Sequence, residues 1–203
     1  PQTHKSSYSW RYSRIVDSMS LKAESVDVGG EPDGFSPEAC WTTEVIPGGY
    51  TRLAVSVPND RLERVHRSIV QHLDAPLRVL YVQLTDRLAG KQLDPPRRFV
   101  ALDVSPDGMD AALEKYRSLV YHDGRHQLWI QGRGEDKVIL EETGVMYVYP
   151  DDPLFRDVLQ EQGVPEKKAE TMADRDYVRV NFLAEADSLE GQFRQAIGAV
   201  SYG

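Results

Sequence analysis

The sequence predicts a two-layer α+β sandwich, in which helices cover mainly one face of a mixed or antiparallel sheet. The main observation is a unit that occurs three times: an apolar strand, a polar cap, an amphipathic helix and a second strand. The first strands of these units end at Val57, Val104 and Tyr149, so the units recur every 45 to 47 residues. Hairpins flank the units as well. We therefore expect three units side by side in one sheet of seven or more strands.

A hairpin and the first unit open this pattern. The apolar stretches 41–45 and 50–57 flank residues 46–49, where proline and two glycines favour a turn. A helix then follows residues 59–60 and places its apolar side chains on one face (Leu62, Val65, Ile69 and Leu73). The stretch 77–84 is almost continuously apolar, which predicts a central strand.

The second unit begins after a polar connection, which we place at residues 86–98. Its first strand is predicted over 99–104, and Pro106 is well placed as the first residue of the following helix. The second strand, at 127–131, continues through a glycine-rich turn into another strand at 138–140.

The third unit starts with a strand at 145–149. Residues 150–153 cap its helix, and Gly163 ends it. We expect its second strand at 177–182 and a last helix from Asp187.

A βαβ crossover followed by a hairpin resembles the ferredoxin-like fold, so tandem ferredoxin-like units are a finer version of this prediction. The resemblance concerns the fold alone and implies no function.

The first 35 residues differ from the rest of the chain. Tyr8, Trp10 and Tyr12 alternate with polar residues, a period of two that is typical of a strand with one aromatic face. We predict that residues 1–35 form an N-terminal arm or edge strand with a loop, and that residues 36–203 form a single α+β domain. The arm either packs on this domain or reaches a partner.

The composition restricts the function classes. The net charge is −8, which argues against nucleic-acid binding because an acidic surface repels phosphates. A single cysteine, Cys40, rules out an intrachain disulfide and a multi-cysteine zinc site. No apolar run approaches the ~18 residues that span a bilayer, so we expect no membrane insertion. We also expect a cytoplasmic protein without a cofactor.

His122, Asp123 and His126 form the densest group of potential metal ligands. Two imidazoles and a carboxylate are suitable ligands for zinc or another divalent metal. However, Gly124 between them indicates a turn rather than a helix, and on a helix the spacing i, i+4 would bring the two histidines together. The competing interpretation is a polar turn in which Asp123 bonds its own backbone.

Four aromatic residues are candidates for an interaction surface. Tyr147 and Tyr149 lie on one face of their predicted strand, and Met146 and Val148 lie on the other. If helices cover the Met146 side, the tyrosines belong to an exposed patch, which is typical of an interface. Trp10 and Tyr12 of the arm are the other two candidates.

The leading hypothesis is a non-enzymatic protein-interaction subunit that binds a protein partner or self-associates. It would be an assembly component or an immunity- or antitoxin-like protein that neutralises its partner. A small metal-assisted hydrolase with a site around His122, Asp123 and His126 is the first alternative. A small-molecule-binding sensor domain is the second.

Overall fold

The computed structural model of the protein describes residues 22–179 and 184–202, which contain ten strands and five α-helices. The strands are β1 (Ala23–Ser25), β2 (Cys40–Val45), β3 (Thr51–Ser56), β4 (Leu77–Asp86), β5 (Lys91–Val104), β6 (His126–Gln131), β7 (Lys137–Leu140), β8 (Met146–Tyr149), β9 (Tyr177–Arg179) and β10 (Val200–Tyr202). The helices are α1 (Asn59–Val70), α2 (Pro106–Lys115), α3 (Arg117–His122), α4 (Pro153–Glu161) and α5 (Ala184–Ala196).

Eight of the described strands form one antiparallel sheet. Their order is β10-β5-β4-β6-β7-β8-β3-β2. Strand β4 lies inside this sheet between β5 and β6, as its nearly continuous apolar sequence predicts. The other two strands, β1 and β9, pair with each other in a separate two-stranded sheet.

The helices pack on one face of the main sheet. Side chains from all five described helices join one apolar cluster with alternate residues of the strands, among them Leu53, Val79, Leu128 and Val148. The intervening strand residues, such as Leu80 and Trp129, point to the opposite face, because successive side chains of a strand alternate. We call this opposite surface the open face.

Local sequence signals position several elements as predicted. The Asp152 carboxylate accepts a 2.8 Å hydrogen bond from the backbone N–H of Leu154 at the start of α4. Gly48 and Gly49 have positive φ angles in the turn between β2 and β3, where glycine has no steric penalty. In the second unit, the predicted single helix is two helices, because Tyr116 lies between them as the C-cap of α2 and the N-cap of α3.

The predicted polar connection at 86–98 is largely wrong, because β5 begins at Lys91 and pairs with the end of β4. The register shifts between Gln83 and Thr85 of β4, which face Arg97 and Gln92 of β5. The two prolines of β5 therefore lie in a bulge, where a missing N–H costs no ladder hydrogen bond.

The third unit is also different from the prediction. Its second strand, β9, pairs with β1 rather than with the main sheet, so the three units do not all share one sheet.

Tandem ferredoxin-like units stay a prediction, as does the domain boundary near residue 35. Trp10 and Tyr12 lie outside the described residues. None of the helices described is long and apolar enough to cross a membrane.

Candidate functional site

The three predicted metal ligands surround the turn between α3 and β6. His122 is the last residue of α3, Asp123 is its C-cap and His126 is the first residue of β6. Gly124 makes the turn in a tight space, since a Cβ atom there would lie 2.0 Å from the carbonyl oxygen of Lys22. The sequence thus predicted the turn correctly, and close packing against Lys22 is the reason for the glycine.

The Asp123 carboxylate is buried and is bound by two arginines. It accepts hydrogen bonds from Arg87 Nη1 at 2.7 Å and from Arg125 Nη2 at 2.6 Å, and also from the Arg125 backbone N–H. Burial alone would raise the pKa of Asp123, but the bonds and charges of the two arginines hold it well below its usual range. Asp123 therefore remains ionised as the acceptor of a buried ion pair.

Helix α5 adds two more acids to these ion pairs. Asp187 lies 2.8 Å from Arg125 Nη2, and a Glu190 oxygen lies 3.0 Å from Arg87 Nε, although this N–H makes no well-aligned hydrogen bond. We call these five residues the charge cluster; the Asp187 side chain is 42% exposed, and the other four side chains are at most 6% exposed (Arg87, Asp123, Arg125 and Glu190).

Glu190 also connects the cluster to the central strand. It accepts from the Tyr81 hydroxyl at 2.8 Å and from Gln83 Nε2 at 3.1 Å. The cluster joins β4, the α3–β6 turn and α5 through pairs of opposite charge, which is a structural arrangement more than a chemically reactive one.

His126 is fully buried beside this cluster. Its ring stacks on Tyr81, with 4.9 Å between ring centroids, and neither ring nitrogen has a hydrogen-bond partner among the described residues. Burial lowers the pKa of His126 well below its usual value, so the ring is neutral. Within residues 22–179 and 184–202, no group of three or more His, Cys, Asp or Glu side chains is placed to hold a metal ion.

The open face contains the two predicted interaction residues that the structure describes. As expected, helices cover Met146 and Val148, which are fully buried. Tyr147 and Tyr149 lie half-buried on the open face. The Arg52 guanidinium lies 3.5 Å from the centre of the Tyr147 ring and donates a 2.8 Å hydrogen bond to the Tyr149 hydroxyl. The Arg52 guanidinium therefore bridges the two tyrosines, and they do not form a purely apolar patch.

A continuous row of apolar side chains crosses the open face. Paired residues extend this row over seven strands, from β3 to β10 (Ala54, Tyr147, Ile139, Trp129, Leu80, Val100 and Val200). The sequence did not predict this row, because strand order and register decide which residues of different strands lie side by side. The alternation within each strand indicates only which of its residues share a face.

The outer end of this row is exposed. Val200 is 68% exposed, and Leu102 and Tyr202 on neighbouring positions of β5 and β10 are 61% and 64% exposed. We call these three residues the edge patch. In contrast, Ile139 in the middle of the row is only 5% exposed.

In comparisons with known proteins, no family model, curated protein or solved structure matches this chain.

Proposed function

We propose that this chain is a protein-interaction subunit that binds a partner protein through the edge patch. The observation that carries this proposal is the exposure of three large apolar side chains, Leu102, Val200 and Tyr202, on one end of the open face. An exposed group of this kind favours burial against another protein. Both versions of the hypothesis, an assembly component and an immunity- or antitoxin-like protein, would use such a surface.

The edge of the sheet gives the partner a second means of binding. Strand β10 is the outermost strand beside β5, and all three of its residues are exposed. An edge strand presents unpaired N–H and C=O groups that an extended segment can pair with. The partner segment that fits best is therefore an extended strand with an apolar side chain at every second position.

The two alternatives have less support. The Asp123 carboxylate is bound by two arginines and His126 is fully buried, so the metal-assisted hydrolase lacks accessible ligands at these two positions. For the sensor, the large groove beside α1 is lined by polar and charged side chains, including Arg64, Arg67 and Gln71. Small-molecule sites are mostly apolar, with few polar groups.

Site-specific photo-crosslinking in cells tests the proposal. A photoreactive residue replaces Leu102 or Val200, and a matched control replaces Leu154, which is 45% exposed on α4. We expect adducts with one defined protein, or with a second copy of the chain, from the two patch positions and none from the control.

The identified partner is then purified, and its affinity is measured. Leu102→Asp should weaken binding at least tenfold, while Leu154→Asp should leave it unchanged. Equal adducts from all three positions, or equal affinity of both variants, would show that the edge patch is not the binding surface.

A further inference from the structure

We infer that the partner segment bound by the edge patch is acidic, with an aspartate or glutamate two residues away from the apolar side chain that contacts Val200. This inference rests on the proposed function, because it names the chemistry of the partner that the edge patch would bind. The evidence is the charge that surrounds the apolar side chains of the patch.

One exposed arginine lies beside the edge patch on the open face. Arg98 of β5 pairs with Tyr202 of β10 on one side and with Val82 of β4 on the other. Residues directly opposite each other on antiparallel strands project to the same side of the sheet, so the Arg98 and Tyr202 side chains are neighbours. The Arg98 guanidinium therefore adds a positive charge at the Tyr202 end of the patch.

A second exposed arginine lies at the other end of the patch. The pairing of β4 with β5 shifts between Leu77 and Val79, so Arg78 lies opposite a bulge that contains Leu102 and Asp103. Leu77 and Val79 belong to the apolar cluster under the helices, so the residue between them projects to the open face. The edge patch thus has a cation at each end.

Neither of these two cations is neutralised within the part of the chain that the structure describes. The Arg78 and Arg98 guanidinium groups form no hydrogen bond or ion pair there, and the Asp103 carboxylate pairs with neither of them. Arg97, the preceding residue of β5, differs because its guanidinium lies 3.2 Å from Asp86. A partner with carboxylates at matching positions would supply the missing counter-charges, and such complementarity determines which partner binds.

The open-face row that contains Arg78 extends the positive charge. Arg78 pairs with Gln131 of β6, which pairs with Lys137 of β7. The Lys137 ammonium lies 4.6 Å from the centre of the Tyr149 ring, and no carboxylate among the described residues pairs with it. The whole chain carries −8, but charges more than about 8 Å apart are largely screened at physiological salt. The nearby cations therefore determine the field at the patch.

Strand geometry determines where the acidic residue of the partner lies. A partner strand beside β10 presents every second side chain to the open face. The side chain opposite Val200 contacts an apolar surface, and the one two residues away lies opposite Tyr202, in the same row as Arg98. The Cα atoms of this residue and Arg98 are then two strand spacings apart, about 9.6 Å, which an arginine and a glutamate side chain can span together.

Photo-crosslinking from Val200 tests the chemistry of the partner. The photoreactive residue replaces Val200, and the partner peptide in the adduct is sequenced by mass spectrometry. We expect an aspartate or glutamate two residues from the adducted residue and no lysine or arginine between them. An adducted segment without an acid at this spacing, including β10 of a second copy, would overturn the inference.

Two neighbouring arginines provide a matched control. Arg98→Gln in the Val200-labelled chain should lower the adduct yield at least about threefold, because it removes an unpaired cation. Arg97→Gln removes a charge already paired with Asp86 and should change the yield by less than about 1.5-fold. Arg98→Lys keeps the charge and should restore the yield. Equal yields from Arg98→Gln and Arg97→Gln would contradict a role for the Arg98 charge.

The two proposals fail in different ways. No adduct from Leu102 or Val200 in the chain with all its arginines would refute the proposed function, and the acidic partner with it. Adducts that persist at full yield in Arg98→Gln would refute only the acidic partner, and the edge patch would remain the binding surface.

Discussion

The hydroxyl of Tyr81 donates a 2.8 Å hydrogen bond to the carboxylate of Glu190, which joins the central strand to the last helix. Both side chains are buried. A buried carboxylate loses much of its stabilisation when a donor is removed, because water cannot replace it.

This pair gives the first prediction. Tyr81→Phe should lower the free energy of unfolding by about 1–3 kcal/mol. In a double-mutant cycle with Glu190→Gln, the two changes should show a coupling energy of about 0.5–3 kcal/mol, measured by urea unfolding. Tyr50→Phe is the control, because Tyr50 lies 68% exposed beside the β2–β3 turn. Purely additive effects of the two changes would contradict the pairing.

The second prediction concerns Asp123. Asp123→Asn removes the fully buried counter-ion of Arg87 and Arg125, while Glu190 and Asp187 stay beside them. Breaking a buried ion pair costs up to about 3–5 kcal/mol. We expect a loss of stability of this size in chemical denaturation. Asp157→Asn, on the exposed side of α4, should change stability by less than about 0.5 kcal/mol. Similar stabilities of the two variants would show that the ion pairs contribute little.

The third prediction is a pH dependence through His66. Burial and, to a lesser extent, the charge of Lys22 lower the pKa of His66 to about 3, from an ordinary value of 6.5. Between these values the unfolded chain binds a proton that the folded chain does not, so stability falls as the pH falls through this window. One such group contributes a slope of up to about 1.4 kcal/mol per pH unit.

A double variant isolates this slope. His66 Nδ1 lies 3.0 Å from the Tyr121 hydroxyl, so His66→Phe is combined with Tyr121→Phe to leave no buried hydroxyl unpaired. The slope of unfolding free energy between pH 4 and 6 should decrease by about 1 kcal/mol per pH unit, relative to a Tyr121→Phe background. His72→Gln, at an exposed position just beyond the end of α1, is the control variant. An unaltered slope in the double variant would mean that His66 is accessible to protons.

The fourth prediction compares two glycines. Gly124→Ala would bring a Cβ atom within 2.0 Å of the Lys22 carbonyl oxygen, so the turn or the strand next to it must move. We expect a clear drop in the thermal unfolding temperature. Gly191→Ala, on the exposed side of α5 with no atom near the new Cβ, should instead stabilise the protein by about 0.5–1 kcal/mol. The packing of Lys22 against the turn would be refuted by equal melting temperatures.

Features that depend on nearby residues could be read from the sequence. The proline-glycine turn between β2 and β3, the Asp152 cap of α4 and the apolar stretch of β4 each carry a local signal that the structure confirms. The sequence also indicated which face of β8 is buried, because Met146 and Tyr147 alternate between the two faces of the strand.

Features that depend on distant residues could not be inferred. Tyr81 and Glu190 are 109 positions apart, and nothing near either residue specifies the other. The pairing of β9 with β1 involves three residues on each strand, which is too short for a periodic signal. The same is true of β10, whose exposed residues resemble a loop. The bulge at the prolines of β5 was overlooked because proline normally argues against a strand.

The chain after α5 connects the charge cluster to β10 at the edge of the sheet. Helix α5, which carries Asp187 and Glu190, ends only a few residues before Val200, so its ion pairs help to hold the outermost strand in place. Loss of those pairs would loosen the attachment of α5 and allow β10 to separate from Val100 of β5. Removal of the Arg87 and Arg125 charges would therefore release β10 before the remainder of the sheet unfolds.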